Sequence, residues 1–354
     1  MNAPLFVAPL LAALVSTASV WLLSRAARTL PADIPNRRSL HSKPVPRAGG
    51  YAVWSGFLPA ALLSPPAFPG GLAGWLPAFL ALASVSAFDD VREVRVVPRL
   101  AVHAVAALWS AAFLAFGGAG VLYTPSTLAS IVVIALLLAW SSNLYNFMDG
   151  NDGLAASMGA IGFTAYGLGS LDLHFAGSAD SIRAAESTTA LFALAAAILP
   201  FLAVNMPRAS MFLGDVGAVP LGFLAGAFGV AGVLHGMWPA WFPLLVFLPF
   251  IADATVTLAC RVWRRERVWE GHKDHFYQRL HQLGAGHGGT LAVYLVAMLG
   301  TSATALACLS AQQAAGWWSL AAWIAAFCLS FAAIDYHWRK KTRKKTEIPA
   351  PSSP

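Results

Sequence analysis

Apolar runs of about 20 residues alternate with short polar loops along the whole chain, and that rhythm sets what it can fold into. A run of that length crosses a bilayer as a helix, because hydrocarbon offers the backbone no other hydrogen-bond partner. Strands of a membrane barrel would be ~10 residues long with alternating polarity, and no stretch alternates in that way. Composition agrees. Of 354 residues, 58% are hydrophobic and 11% charged, where a soluble domain carries about 25% charged. The expected fold is an all-α polytopic integral membrane protein of about eleven transmembrane helices. Their approximate ranges are 4–24, 48–64, 70–88, 99–117, 124–143, 153–170, 187–204, 216–234, 239–260, 289–309 and 317–336. The second is short and carries Gly49, Gly50 and Pro59. The first has no Lys or Arg before it and no small-residue cleavage site, so it reads as a retained span.

Charge sets the orientation. Of the 23 Lys and Arg residues, only Arg183 falls in a loop on the odd-numbered side. The others lie in the loops 25–47, 89–98, 205–215 and 261–288, at the start of the fourth span, or beyond residue 336; the loop 144–152 on the same side carries none. The positive-inside rule makes that face cytoplasmic, with the N-terminus outside and the C-terminus inside. The net charge of +7 follows membrane topology, so no nucleic-acid partner is expected. Cys260, Cys308 and Cys328 lie in or beside apolar runs and read as packing residues. A single catalytic domain is expected over 1–339. A basic, Pro/Ser-rich tail over 340–354 is expected to be disordered and to rest on anionic lipid heads.

The same face gathers most of the carboxylates. Asp89 and Asp90 close the third span just before Arg92 and Arg95. Adjacent carboxylates suit holding a divalent cation, or pairing a base with a charge-neutralising partner; capping a helix is the plainer alternative. The run Asn143-Leu-Tyr-Asn146-Phe-Met-Asp149-Gly-Asn-Asp152-Gly153 is richer in Asn, Asp and Gly than a turn requires, and suits a polar ligand. Asp215 lies between Gly214 and Val216-Gly217, three residues after Phe212, which reads as a stacking ring or an interfacial anchor. The 261–288 loop holds His272, Lys273, Asp274, His275 and Arg279, a set suited to a pyrophosphate or to lipid headgroups. His281 and His287 read as structural. Asp253, inside the ninth span, reads equally as functional or as the partner of a neighbouring helix. A transporter would instead carry its charges at mid-span on broken helices, and a prenyl pyrophosphatase would need no nucleotide.

These motifs resemble the polyprenyl-phosphate N-acetylhexosamine-1-phosphate transferase superfamily (glycosyltransferase family 4), related to the phospho-N-acetylmuramoyl-pentapeptide transferases. The Asp89-Asp90 loop, the Asn-x-x-Asn-x-x-Asp-Gly-x-Asp-Gly loop and Phe-x-Gly-Asp-x-Gly appear in family order over nearly the whole chain. The loop from Pro35 to Gly50 looks most like the branch that begins O-antigen chains.

The resemblance implies a multi-pass enzyme of the bacterial inner membrane. It would move N-acetylhexosamine-1-phosphate from a UDP-N-acetylhexosamine to undecaprenyl phosphate, with Mg2+ (or Mn2+) as cofactor. Membrane lipids would surround it, and a homodimer is compatible with it. It implies catalytic roles for Asp89, Asp90, His272 and His275. Metal ligation would fall to Asp215 and Asp149. Substrate binding would fall to Lys43, Asn143, Asn146, Asp149, Asp152, Asn205 and Phe212, the last stacking on uracil. Two positions depart from the family pattern. Glu93 stands where relatives place Lys or Asp, and His272-Lys-Asp-His275 matches neither the muramoyl nor the GlcNAc enzymes.

The topology is testable directly. Cysteines introduced at Gly271 and Ser353, in a background without native thiols, should resist an impermeant thiol reagent in intact cells. Labelling of either would overturn the eleven-span arrangement.

Overall fold

A computed structural model describes residues 3–35, 40, 42–92, 94–116, 125–174, 180–267 and 272–346. Each expected span falls on a helix: α1 (Ala3–Arg25), α2 (Gly49–Leu63), α3 (Leu72–Val91), α4 (Val96–Phe116), α5 (Pro125–Met148), α6 (Leu154–His174), α7 (Asp180–Asn205), α8 (Asp215–Leu234), α9 (Trp241–Val246), α10 (Leu248–Trp263), α11 (Phe276–Leu280), α12 (Gly286–Leu309) and α13 (Gln313–Thr346). Among the described residues, nine helices are long and apolar enough to cross a membrane. The protein is therefore an all-α, multi-pass membrane protein.

Two of the expected eleven spans fall short of that standard. The second is the 15-residue α2, about 22 Å long against about 30 Å of hydrocarbon. The ninth is broken at Phe247 into α9 and α10, and Pro249 stands in the first turn of α10. The last span is longer than expected. α13 continues as helix through the basic stretch to Thr346, within what the sequence indicated as a loose tail; the residues after Thr346 lie outside the described residues, as do Arg37, Arg38, His41 and Glu93.

The helices sort by how much of them lipid sees. In its most apolar window α8 is 83% buried and α13 only 17%, so α8 is the central staff and α13 lies at the rim. α8 packs on α5, α3 and α2, while α6 and α7 form a second buried layer with α1 against α7. Lipid tails are as apolar as any side chain, so helices in a membrane gain most by close approach through small residues. Gly222 and Gly226 supply it, laying α8 against Ser141, Ser142 and Tyr145 of α5. Aromatic rings fill the rest: Trp54, Trp75 and Phe79 stack edge to face between α2 and α3.

Only one small sheet is present among the described residues. β1 (Ala32–Asp33) pairs antiparallel with β2 (Val45–Pro46), in the register Ala32 to Pro46 and Asp33 to Val45. This hairpin folds the first long loop back onto the charged end of the bundle.

Candidate active site

The site is built on the first turn of α8. A helix N-terminus leaves N–H groups without intrahelical acceptors and carries a partial positive charge. Here the acceptor comes from another helix. Asp90, in the last turn of α3, accepts the Asp215 N–H on Oδ1 (3.2 Å) and the Val216 N–H on Oδ2 (3.0 Å). Its side chain is 2% exposed. Gly214, ahead of the helix, has φ +75°, and a Cβ there would lie 2.8 Å from Asp90 Oδ2. Glycine at 214 thus serves both the backbone conformation and the approach of the carboxylate. From the other side, the Trp54 indole donates to Val216 O (2.7 Å).

Around that turn the expected carboxylates converge. Asp215 Oδ2 lies 3.5 Å from Arg99 Nη1 and accepts from Asn146 Nδ2 (3.4 Å). Asp89 accepts from the same Arg99 nitrogen (2.6 Å) and from Val94 N–H (2.7 Å). Arg47 spans from Asp33 (2.7 Å) to Asp90 (3.6 Å). Burial, then repulsion from Asp215 and Asp90, pushes the Asp149 carboxyl well above the usual carboxylate range. Four acids from three separate loops therefore share one small volume with two arginines and one asparagine.

Known proteins match the part of the chain that forms this volume. Residues 72–233, which carry all four acids, match the family model described as Glycosyl transferase family 4. Over that stretch the chain is similar to glycosyltransferase family 4. It is similar to the decaprenyl-phosphate N-acetylglucosaminephosphotransferase of Mycobacterium leprae, 26% identical over 81% of this chain and 79% of that one. It is also similar to the undecaprenyl-phosphate alpha-N-acetylglucosaminyl 1-phosphate transferase of Yersinia pestis, 26% identical over 87% of this chain and 85% of that one. The Salmonella typhi protein of the same name is 30% identical over 54% of this chain and 52% of its own length.

The first loop and the loop before α8 meet beside that helix. Phe212 N–H donates to Pro46 O (2.8 Å), and Phe212 O accepts from Gly49 N–H (2.9 Å). The half-buried Phe212 is thereby stitched to the end of the β1–β2 hairpin. Lys43 stands exposed in the turn before β2.

Other residues expected to touch substrate are taken up by the protein itself. Asn205 is 3% exposed and engaged at both ends of its amide: Oδ1 accepts from Gly153 N–H (3.0 Å) and Nδ2 donates to Met211 O (2.9 Å). Asp152, 7% exposed, accepts from Ala209 N–H (3.1 Å) and lies 3.2 Å from His287 Nδ1. Together they latch the turn after α7 onto the turn after Met148. Asn143 donates to the carbonyl of Ala139, one turn back on α5 (2.7 Å).

The His-rich loop is held by Asp253. This fully buried carboxylate accepts from Phe276 N–H (2.9 Å), Tyr277 N–H (3.0 Å), Thr257 Oγ1 (3.1 Å) and the Tyr294 hydroxyl, and lies 3.2 Å from His275 Nδ1. Asp253 is thus the partner of a neighbouring helix, a cap for α11. His275 is buried with it. Its ring stacks 4.9 Å from His272 and 6.0 Å from Phe147, two residues before Asp149. Burial, with His275 and Arg261 nearby, pushes His272 down to about 4. Its Nδ1 accepts from Asp274 N–H (3.3 Å). A neutral ring follows at pH 7, so His272 offers hydrogen bonding and not the positive charge that the sequence indicated for this segment. Lys273 lies beside it on the loop.

Oxygen donors of this kind fit a hard divalent cation. Mg2+ is typically held by one or two carboxylates, with water and substrate phosphates completing the shell. The Asp215 side chain is 25% exposed, and crowding by like charges raises Asp149, a repulsion that a divalent cation would relieve. Among the described residues no group of three or more His, Cys, Asp or Glu is arranged to hold a metal by itself.

Sequence reasoning missed Arg47 and Arg99. Each was visible as a basic residue on the charged face, but nothing in the sequence shows that one reaches Asp90 and the other bridges Asp89 to Asp215. Gly214→Ala should disturb that arrangement without unfolding the bundle. We expect turnover to fall at least tenfold, because Asp215 moves with the first turn of α8, and melting in detergent to shift by only a few degrees. Full turnover in Gly214→Ala would show that the Asp90 contact does not position Asp215.

Proposed function

We propose that this protein transfers N-acetylhexosamine-1-phosphate from a UDP-sugar to undecaprenyl phosphate at the cytoplasmic face of a bacterial inner membrane, releasing UMP. The lipid-linked product would begin a cell-surface glycan such as O-antigen. One observation carries the reading: Asp89, Asp90, Asp149 and Asp215 meet at the start of α8, beside a loop of basic residues. The relatives named above support the general reaction, a sugar-1-phosphate placed on a polyprenyl phosphate. The sugar is one of the N-acetylhexosamines, with GlcNAc, FucNAc and QuiNAc the first to try.

Each group has a task in this reading. Asp90, with both oxygens on α8 amides, aims Asp215. Asp89, 12% exposed and bridged through Arg99 to Asp215, aligns or deprotonates the lipid phosphate for in-line attack. Asp215 with Asp149 would hold Mg2+ or Mn2+, which when bound would supply charge neutralisation of the pyrophosphate. Arg47, Arg99, Lys43 and Lys273 balance the remaining phosphate charge, and Asn146 orients Asp215. Phe212 offers its ring to the uracil, anchored through its own backbone to the first loop.

The direct test is purified protein with undecaprenyl phosphate, Mg2+ and each UDP-sugar in turn, read as UMP release. Asp215→Asn should nearly abolish turnover while the protein still inserts and keeps its melting temperature. Near-normal turnover at saturating Mg2+ would remove Asp215 from the metal site. Phe212→Ala should raise the KM for the UDP-sugar about tenfold, since stacking on an aromatic is worth roughly 1–3 kcal/mol, and leave the prenyl-phosphate KM nearly unchanged. Equal rises in both would make Phe212 an interfacial anchor.

A further inference from the structure

α13 is about 51 Å long, well beyond what a bilayer's hydrocarbon needs, so its C-terminal part projects from the bundle as helix. That projection lies along α11 and the wide turn His281–Ala285 that follows it. The contacts run along eleven residues of α13, from Phe331 to Lys341. Phe331 stacks flat on Phe276, 3.9 Å between ring centroids. Asp335 accepts from Arg279 (2.5 Å) and from Arg339 (2.7 Å). The Arg279 guanidinium, 3% exposed, lies between the rings of Phe276 (5.1 Å) and Trp338 (4.9 Å). Next, Gln282 takes over. Its Oε1 accepts from the Trp338 indole (3.3 Å), its backbone carbonyl accepts from Lys341 Nζ (2.7 Å), and its Nε2 donates to the carbonyl of Lys273 (3.4 Å).

Gln282 is therefore a relay. One end of its amide is held by α13, and the other holds the backbone of the His272–His275 loop. That loop is fixed at its far end by Asp253, through the amides of Phe276 and Tyr277. The contact at Lys273 holds the part of the loop that Asp253 does not reach, together with the ion pair of Arg261 and Asp274 next to it. A half-buried glutamine in a turn has no reason of its own to adopt one rotamer, since ordering it costs on the order of 1–2 kcal/mol of side-chain entropy. Its two side-chain partners, the Trp338 indole and the Lys273 carbonyl, select that rotamer.

We infer that the projecting end of α13 is a positioning strap for the His272–His275 loop, acting through Trp338 and Gln282, and that it governs use of the nucleotide-sugar rather than of the lipid. The inference rests on the proposed reading in which this loop faces the donor's phosphates. Gln282 and Trp338 touch no substrate; they act through Lys273 and His272.

Two variants break the relay at different links. Gln282→Glu keeps the shape and the acceptor toward Trp338 and removes the donor toward Lys273. Trp338→Phe keeps a ring over Arg279 and removes the N–H toward Gln282. Each should raise the KM for UDP-GlcNAc, or for whichever UDP-N-acetylhexosamine turns over, roughly threefold to tenfold, as expected for one lost hydrogen bond. The kcat, the KM for undecaprenyl phosphate and the melting temperature should change little. The double variant should be no worse than the worse single, because both act on one relay. Backbone amides of residues 272–276 should exchange faster with deuterium in both variants, a readout that needs no activity. Unchanged exchange, additive effects, or parallel losses in kcat, both KM values and melting temperature would overturn the strap. Faster exchange with an unchanged donor KM would overturn the loop's placement on the donor, and the strap's role in catalysis with it.

Discussion

Everything at the charged face is referred to one contact, the Asp90 carboxylate on the first two amides of α8. In water such a cap contributes about 1 kcal/mol. At the end of a buried helix its weight is greater, because no solvent replaces it and two N–H groups would be orphaned without it. The contact joins α3 to the central helix of the bundle and sets where Asp215, the first residue of that helix, points. Placing a carboxylate at this helix terminus also has an electrostatic consequence. Asp90 lies on the favourable end of the α8 dipole, and Asp149 and Asp215 are brought close to it, so that like charges accumulate. Arg47 and Arg99 offset part of that accumulation.

The same device recurs twice within the protein. Asp253 caps α11 by accepting the amides of Phe276 and Tyr277, and Asp152 accepts the amide of Ala209. Each acid belongs to one element and each amide to another. Membrane helices gain little from hydrophobic association, so the loops at their ends need specific polar ties if they are to hold one arrangement. Buried carboxylates on backbone N–H groups supply such ties with geometry that does not depend on long flexible side chains. The chemistry can then be left to the groups that remain partly exposed, Asp215, Asp89 and Lys43 among them.

Much of this was legible in the sequence. Apolar run length named the fold class, and the positions of all eleven expected spans fall on helices. The order of the acidic motifs pointed to the family resemblance and singled out Asp89, Asp90, Asp149 and Asp215, which the fold brings together at the start of α8. Motif density did not separate the residues that face the site from those that brace it. Asn143, Asp152 and Asn205 sit in the same polar loops as Asn146 and Asp149 yet bond to the protein's own backbone. Asp253 could be argued either way from its cost in a membrane span. His275, four of whose neighbours are Asp253, His272, Tyr277 and Phe147, could not be told from an exposed histidine in a basic loop.

The division has a physical basis. Transfer of a helix to hydrocarbon depends on the composition of that segment alone, so run length and charge spacing, both local properties, determined the class of fold and the face on which polar chemistry would gather. The direction in which a carboxylate points, and whether its oxygens remain available, depend on which amide of which other helix comes within about 3 Å. Asp89 and Asp90 are neighbours in sequence with the same composition around them. Only the packing of α3 against α8 gave one of them to the helix terminus and left the other beside Arg99, bridged to Asp215.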